Sequence, residues 1–224
     1  MNPVTPQPEP EAFDARVRRP GQRYLATVGK NNAVPIFRGR NKYWTEALDD
    51  LREAYKKICA YTCFYLPPSP GSVDHFRPKS RHPELAYEWD NFRLALPIVN
   101  SHKGDSMDVL DPFQVEAGWF VLDFPSCLVK AGPGLSQSTV DRVNRTIDRL
   151  KLNDDDSFVE QRREIMIAYS EGEMDLSFLE RFYPFIAAEI DRQGIEGKAG
   201  ALFKRRTISA NPNAPQARSE AKQP

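Results

Sequence analysis

Cysteine is scarce in this chain, and so is histidine, with three of each among 224 residues. An odd, small number of thiols excludes a disulfide-stapled secreted domain. Long apolar runs are missing too: no window nears the roughly 18 uninterrupted apolar residues that a membrane-spanning helix needs, and no basic leader followed by an apolar stretch directs export. A soluble protein of the reducing cytoplasm, without membrane contact, is expected. Net charge is also lacking, because 31 Lys and Arg balance 31 Asp and Glu. That balance excludes a uniformly polycationic, histone-like surface but leaves local patches open.

The length suits one compact domain, or a small domain with a helical extension. Residues 1–12, MNPVTPQPEPEA, carry four prolines and little apolar periodicity, which predicts a disordered leader that buries too little surface to offset the entropy of ordering. Residues 207–224 read as a disordered tail. Residues 13–43 form a basic arm: from Arg16 to Lys42 there are eight Lys or Arg and no acidic residue. Pro20, Gly21, Gly29, Pro35 and Gly39 interrupt this arm too often for a long helix, so extended or looping backbone is expected. It would offer Arg16, Arg18, Arg19, Arg38 and Arg40 to phosphates.

From Tyr43 to about Tyr61, apolar residues recur at spacings of three and four, the pattern of an amphipathic helix. LPPSPG at 66–71 stops regular structure. Short β-like pieces follow around 72–76 and 92–96, then a helix beginning near Val99 and limited by Gly104. Residues 44–135 thus form one core with its preceding helix. The region 136–206 reads as helical, with Ser138/Asp141, Ser157/Glu160 and Ser177/Glu180 as helix-start pairs and Pro184 kinking or shifting the last helix.

The polar residues that suggest chemistry fall in 72–105, SVDHFRPKSRHPELAYEWDNFRLALPIVNSHKGD. Asp74 and His75 are adjacent, Asn91 lies sixteen residues beyond His75, and Asn100 nine beyond that. Carboxylate and amide oxygens suit Mg²⁺ or Mn²⁺, and histidine is the side chain best placed near neutral pH to take a proton from water. Metal-assisted phosphodiester hydrolysis needs such a set. Regular strand alternation sends Asp74 and His75 to opposite faces, so one shared site requires the strand to end or bulge there, which Arg77 and Pro78 would favour. Arg77, Lys79 and Arg81 add an alternating basic row beside the pair.

The order Asp74, His75 and Pro78, then Trp89, Asp90 and Asn91, then Asn100, Lys103, Gly104 and Asp105 resembles the HNH, or ββα-metal, endonucleases. This resemblance implies an α+β, mainly helical fold with a ββα-metal core enclosed by N- and C-terminal helices. It implies Asp74 and Asn100 as ligands of one Mg²⁺ or Mn²⁺, His75 as general base, Asn91 as the brace of the loop that positions His75, and Lys103 as a phosphate contact. Arg77, Lys79 and Arg81 would join the arm in a DNA-binding track. His102 is either a phosphate or metal contact or a solvated side chain, and His82 is expected at the surface. A longer likeness over about Trp44 to Arg163, including TIDRLKLN, resembles standalone bacterial HNH proteins encoded beside ATPases in antiphage systems such as Septu and certain retrons. An ATPase partner follows as an expectation.

Many such proteins brace the core with four cysteines on a structural zinc. Here Cys59 keeps the first place, Thr62 stands in the second with Cys63 displaced by one, and Leu96 and Val99 replace the other pair. Zinc needs four good ligands, so no structural zinc is expected. Packing of Leu96, Ile98 and Val99 against Ile58, Phe64 and Leu66 would replace it. The alternative to an active nuclease is an inactive HNH-like subunit that binds DNA or a partner without cutting.

Overall fold

Pro20 sits in the first turn of an α-helix, directly after a wider π-type turn that accommodates a residue without an N–H. The first half of the basic arm is accordingly helical and not looping: a wide π-type turn, Asp14–Arg18, runs into α1, Arg19–Lys30. Gly21 is there for contact, since a Cβ at this position would lie 2.2 Å from Cγ of Tyr87. The computed structural model describes residues 1–67, 71–153, 156–197 and 203, and the fold is α+β. The expected tail at 207–224 lies outside the described residues.

After α1 the chain crosses residues 31–42, makes a 3-10 turn at Tyr43–Ala47 and enters α2, Leu48–Ala54. The helix expected to reach Tyr61 stops early because Lys56 and Lys57 both take left-handed backbone, at φ 53° and 58°. Strand β1, Ser72–His75, pairs antiparallel with β2, Phe92–Ala95, in the register Ser72↔Ala95, Val73↔Leu94, Asp74↔Arg93 and His75↔Phe92. Pro97 then opens α3, Pro97–Lys103, and Gly104 closes it at φ 53°. A second antiparallel hairpin, β3 Phe120–Asp123 with β4 Leu128–Ala131, was not expected from sequence.

The helical region follows as α4 Gln137–Leu150, α5 Asp156–Ser170, α6 Leu176–Phe182 and α7 Pro184–Gln193. The side chains that cap α4 and α6 are Ser136 and Asp175, each two residues before the expected serine. Pro184 starts a new helix instead of kinking a continuous one. Among the described residues no helix is long and apolar enough to cross a membrane.

The proline-rich leader is a correction: residues 1–12 are packed on the core. Met1 is buried, Val4 N–H donates to Pro112 O (2.9 Å), Gln7 N–H to the Tyr55 hydroxyl (3.1 Å), and Trp89 Nε1 to Gln7 O (2.8 Å). These partners tie the segment to the core at its start and its middle. Phe13 seals the seam edge-on against Trp89 and Phe92, with ring centroids 5.5 and 5.8 Å apart.

Side chains from later elements complete the second hairpin. Asn153 accepts from Val129 N–H (2.9 Å) and donates to Val129 O (2.8 Å), while buried Glu189 accepts from Leu122 N–H (2.8 Å) and Gln193 donates to Leu122 O (2.7 Å). Both edges are thus closed to further pairing at their centres. Buried Arg162 donates to Cys127 O (2.7 Å) and Leu152 O (2.8 Å), which fastens α5 to the hairpin turn and to the end of α4.

Candidate active site

The β1–β2 pair and α3 bring the polar segment together, with α3 lying against β1. The C-terminal end of α3 is held by α4: Arg149 donates to Lys103 O through Nε and Nη2 (3.2 and 2.9 Å), and His102 Nδ1 donates to Leu150 O (3.2 Å). His102 therefore serves the α3–α4 contact, and His82 pairs with Glu84 (3.1 Å) at the surface. Asn91 ties off the loop after β1. Its Oδ1 accepts from Arg77 N–H (2.8 Å), and its Nδ2 donates to Arg77 O (3.0 Å) and Leu85 O (3.1 Å).

Strand pairing persists through His75, so Asp74 and His75 do face opposite sides. His75 enters an aromatic wall, its ring 4.9 Å from that of Trp44 and 5.2 Å from that of Phe92. Nε2 is 2.9 Å from Ala86 O, and because a carbonyl only accepts, Nε2 carries the proton of the neutral ring. Nδ1 makes no hydrogen bond among the described residues, and His75 as a whole is 5% exposed. Burial first, and then the charges of Lys79 and Lys103, push the His75 pKa down to about 3, so the ring is neutral at physiological pH.

Asp74 turns to the α3 side and is 2% exposed. One carboxylate oxygen accepts from the Tyr61 hydroxyl, the other from Lys103 Nζ at 3.0 Å. Lys103 is fully buried, at 0% exposure, and donates also to His75 O at 2.9 Å. This corrects the expectation for Lys103, which is enclosed and does not reach a phosphate. Burial, followed by the charge of Asp74, raises the Tyr61 hydroxyl pKa well above its usual value, so the group stays a donor. Directly across the strand pair, Arg93 forks onto Asp111 with two bonds of 2.8 Å and lies 3.4 Å over the Phe113 ring.

Asn100 projects from α3 toward β1, its Nδ2 donating to Ser72 Oγ (3.1 Å) and Val73 O (3.3 Å). Asp74 and Asn100 therefore meet on one face, and His75 stands on the other. Among the described residues no three His, Cys, Asp or Glu side chains gather at one point. In this conformation the set does not fit a divalent ion, because the charge such an ion would bring to Asp74 is already supplied by the Lys103 ammonium. Lys79 links the two faces: half-buried, with its ammonium 5.2 Å over the Trp44 ring, it acts on His75 and is acted on by Asp74 and Asp105.

The predicted phosphate contacts divide in two. Arg16 pairs with Asp50, Arg18 with Glu9 and Glu88, and Arg19 with Asp14. The acid missing within 16–42 is thus supplied from other segments, and these three arginines stand in ion pairs, with Arg19 still 67% exposed. Arg38, Arg40, Arg77 and Arg81 are exposed and carry no ion pair among the described residues. Sequence reasoning missed Tyr61, Trp44 and the Ala86 carbonyl as partners of the site. Tyr61 and Trp44 carried only a core-packing signal, whereas the opposition of Asp74 to Arg93 follows once the two strands are paired.

At the place where zinc would brace the core, Cys59 Sγ accepts from Leu96 N–H (3.4 Å) and Cys63 Sγ from Asn2 N–H (3.2 Å). Both thiols are buried, and burial raises that of Cys63. Val99 joins this core, but Ile98 is 46% exposed and does not pack as expected. No protein-family model matches the chain, and no curated protein matches it.

Proposed function

We propose that this protein is an HNH-type endonuclease acting on DNA, with His75 as the general base. The observation that carries the reading is the placement of His75: its Nε2 proton is committed to Ala86 O, which leaves Nδ1 as the unprotonated nitrogen of a neutral ring. That nitrogen is the one able to take a proton from an attacking water, once substrate binding lifts the burial that makes the ring a weak base in the free protein. Arg77 and Arg81 beside it are exposed and free to meet phosphates. Asn91 holds the intervening loop by three hydrogen bonds to backbone, so the base has a fixed position. Work with an ATPase partner in antiphage defence rests on the resemblance alone.

The resemblance asks for Mg²⁺ or Mn²⁺ on Asp74 and Asn100, which the Lys103–Asp74 pair does not accommodate. That pair favours a second reading, a DNA- or partner-binding subunit that does not cut. Incubation of the pure protein with supercoiled plasmid and Mg²⁺ or Mn²⁺ separates the two. Nicking by the wild type that is lost in His75→Ala, with the variant's fold checked by circular dichroism, supports the endonuclease. Equal nicking by both, or none by either with an ATPase partner added, overturns it.

A further inference from the structure

Residues 31–42 are not used by the site just described. Their backbone is pinned at several points. The Tyr24 hydroxyl donates to Ile36 O (2.8 Å) and accepts from Ile36 N–H (2.7 Å), Asn41 Nδ2 donates to Ile36 O (3.1 Å), and the Tyr87 hydroxyl donates to Asn41 O (2.8 Å). Exposure alternates along 34–38: Val34, Ile36 and Arg38 point outward, while Pro35 and Phe37 are half-buried. The Phe37 ring rests 5.9 Å from Trp44 and 6.2 Å from Tyr87. Yet Val34 is 83% exposed and Ile36 63%. A loop tip that only meets water carries small or polar residues, whereas this one is held still and presents two β-branched apolar side chains.

Charge tells what would cover them. Arg23, Lys30, Arg38, Arg40 and Lys42 flank the pair in sequence, all exposed and without an ion pair among the described residues. The loop is joined to the candidate site through aromatic rings, with Phe37 5.9 Å from Trp44 and Trp44 4.9 Å from His75. Lys79 lies 5.2 Å over the same Trp44 ring, and Arg77 and Arg81, its neighbours in sequence, are exposed. An apolar pair framed by cations beside a phosphodiester site matches the way architectural proteins enter the minor groove, with apolar wedges at a base step and cations on the flanking phosphates.

We propose that residues 33–42 are a minor-groove wedge for duplex DNA, in which Val34 and Ile36 press against a base step and Arg38, Arg40 and Lys42 neutralise the adjoining phosphates. Flexible pyrimidine–purine steps would be preferred, since they unstack most easily. The choice of DNA as the occupant rests on the endonuclease reading, and the test uses binding alone so that the two fail separately.

The full-length protein is titrated in EDTA against a short duplex with a central TA step and a neighbouring 2-aminopurine, with anisotropy and 2-aminopurine emission both recorded. Wild-type protein is expected to bind and to raise the emission. Val34→Ser/Ile36→Ser should abolish the rise and weaken binding by roughly a hundredfold or more, the scale of losing two buried apolar side chains. Arg38→Gln/Arg40→Gln should lower the slope of log affinity against log salt by about 2. The altered side chains are exposed, so folding is preserved. Duplex binding and emission unchanged in Val34→Ser/Ile36→Ser, no duplex binding by the wild type, or loss by that variant of binding to anionic vesicles instead of duplex would each overturn the wedge. If the expected pattern appears without plasmid cleavage, the wedge stands and the endonuclease reading falls; cleavage with unaltered loop-variant binding gives the reverse.

Discussion

Lys103 illustrates how a single side chain can decide what a site does. It is fully buried and satisfied by one carboxylate oxygen and one carbonyl, while Tyr61 holds the other carboxylate oxygen. Removing one member of a buried ion pair strands the other charge, at a typical cost of about 3–5 kcal/mol. Lys103→Met is therefore expected to lower the urea midpoint strongly, and adding Asp74→Asn to recover most of the loss. Equal instability of the single and double variants would show that the pair is not what Lys103 contributes. Asn91→Asp makes a complementary case: Oδ1 still accepts from Arg77 N–H, but a carboxylate oxygen then faces the carbonyls of Arg77 and Leu85. A loss of about 1–3 kcal/mol is expected from unmade bonds at a buried group, measured by denaturant melting. The sequence made the identities of Asp74, His75, Asn91 and Asn100 conspicuous. It did not reveal that Lys103 already occupies Asp74, because burial of a lysine depends on α4 holding the end of α3.

At the scale of elements, β1, β2 and α3 were legible because apolar runs, Pro97 and Gly104 mark them within a few residues of where they lie. The β3–β4 hairpin was not. Its strands are four residues each, and the turn places Cys127 at φ 57°, where glycine or asparagine would be the usual signal. Helix α1 was misread for a related reason: Pro20 and Gly21 look like breakers, yet one sits in the first turn and the other is demanded by Tyr87. Two alanine substitutions in this helix test that account. Gly21→Ala would press its Cβ into the Tyr87 ring and should destabilise by about 1–3 kcal/mol, as overpacking does. Gly29→Ala meets nothing within 4 Å and should be neutral or stabilising by up to about 1 kcal/mol. Thermal melts showing the same sign for both would refute the contact argument.

Across the whole molecule, composition misled most at the N-terminal end. Four prolines in residues 1–12 read as disorder, but the partners that order this stretch, Tyr55, Trp89 and Pro112, lie far along the chain. The same seam covers Cys63, and Cys59 and Cys127 are buried as well. All three thiols should react with a disulfide reagent only on global unfolding, and a strong chelator should leave the thermal midpoint unchanged. Fast labelling of the native protein, or a chelator-induced fall in the midpoint, would contradict this account of the cysteine region. Enclosure of the Lys103 amine gives the molecule a built-in chemical reporter. An amine-reactive probe added to the native protein should modify the exposed Lys30 and Lys42 readily and leave Lys103 untouched. Any condition that opens the α3–β1 contact, whether a partner, a nucleic acid or a metal ion, would then register as a new mass on that one peptide.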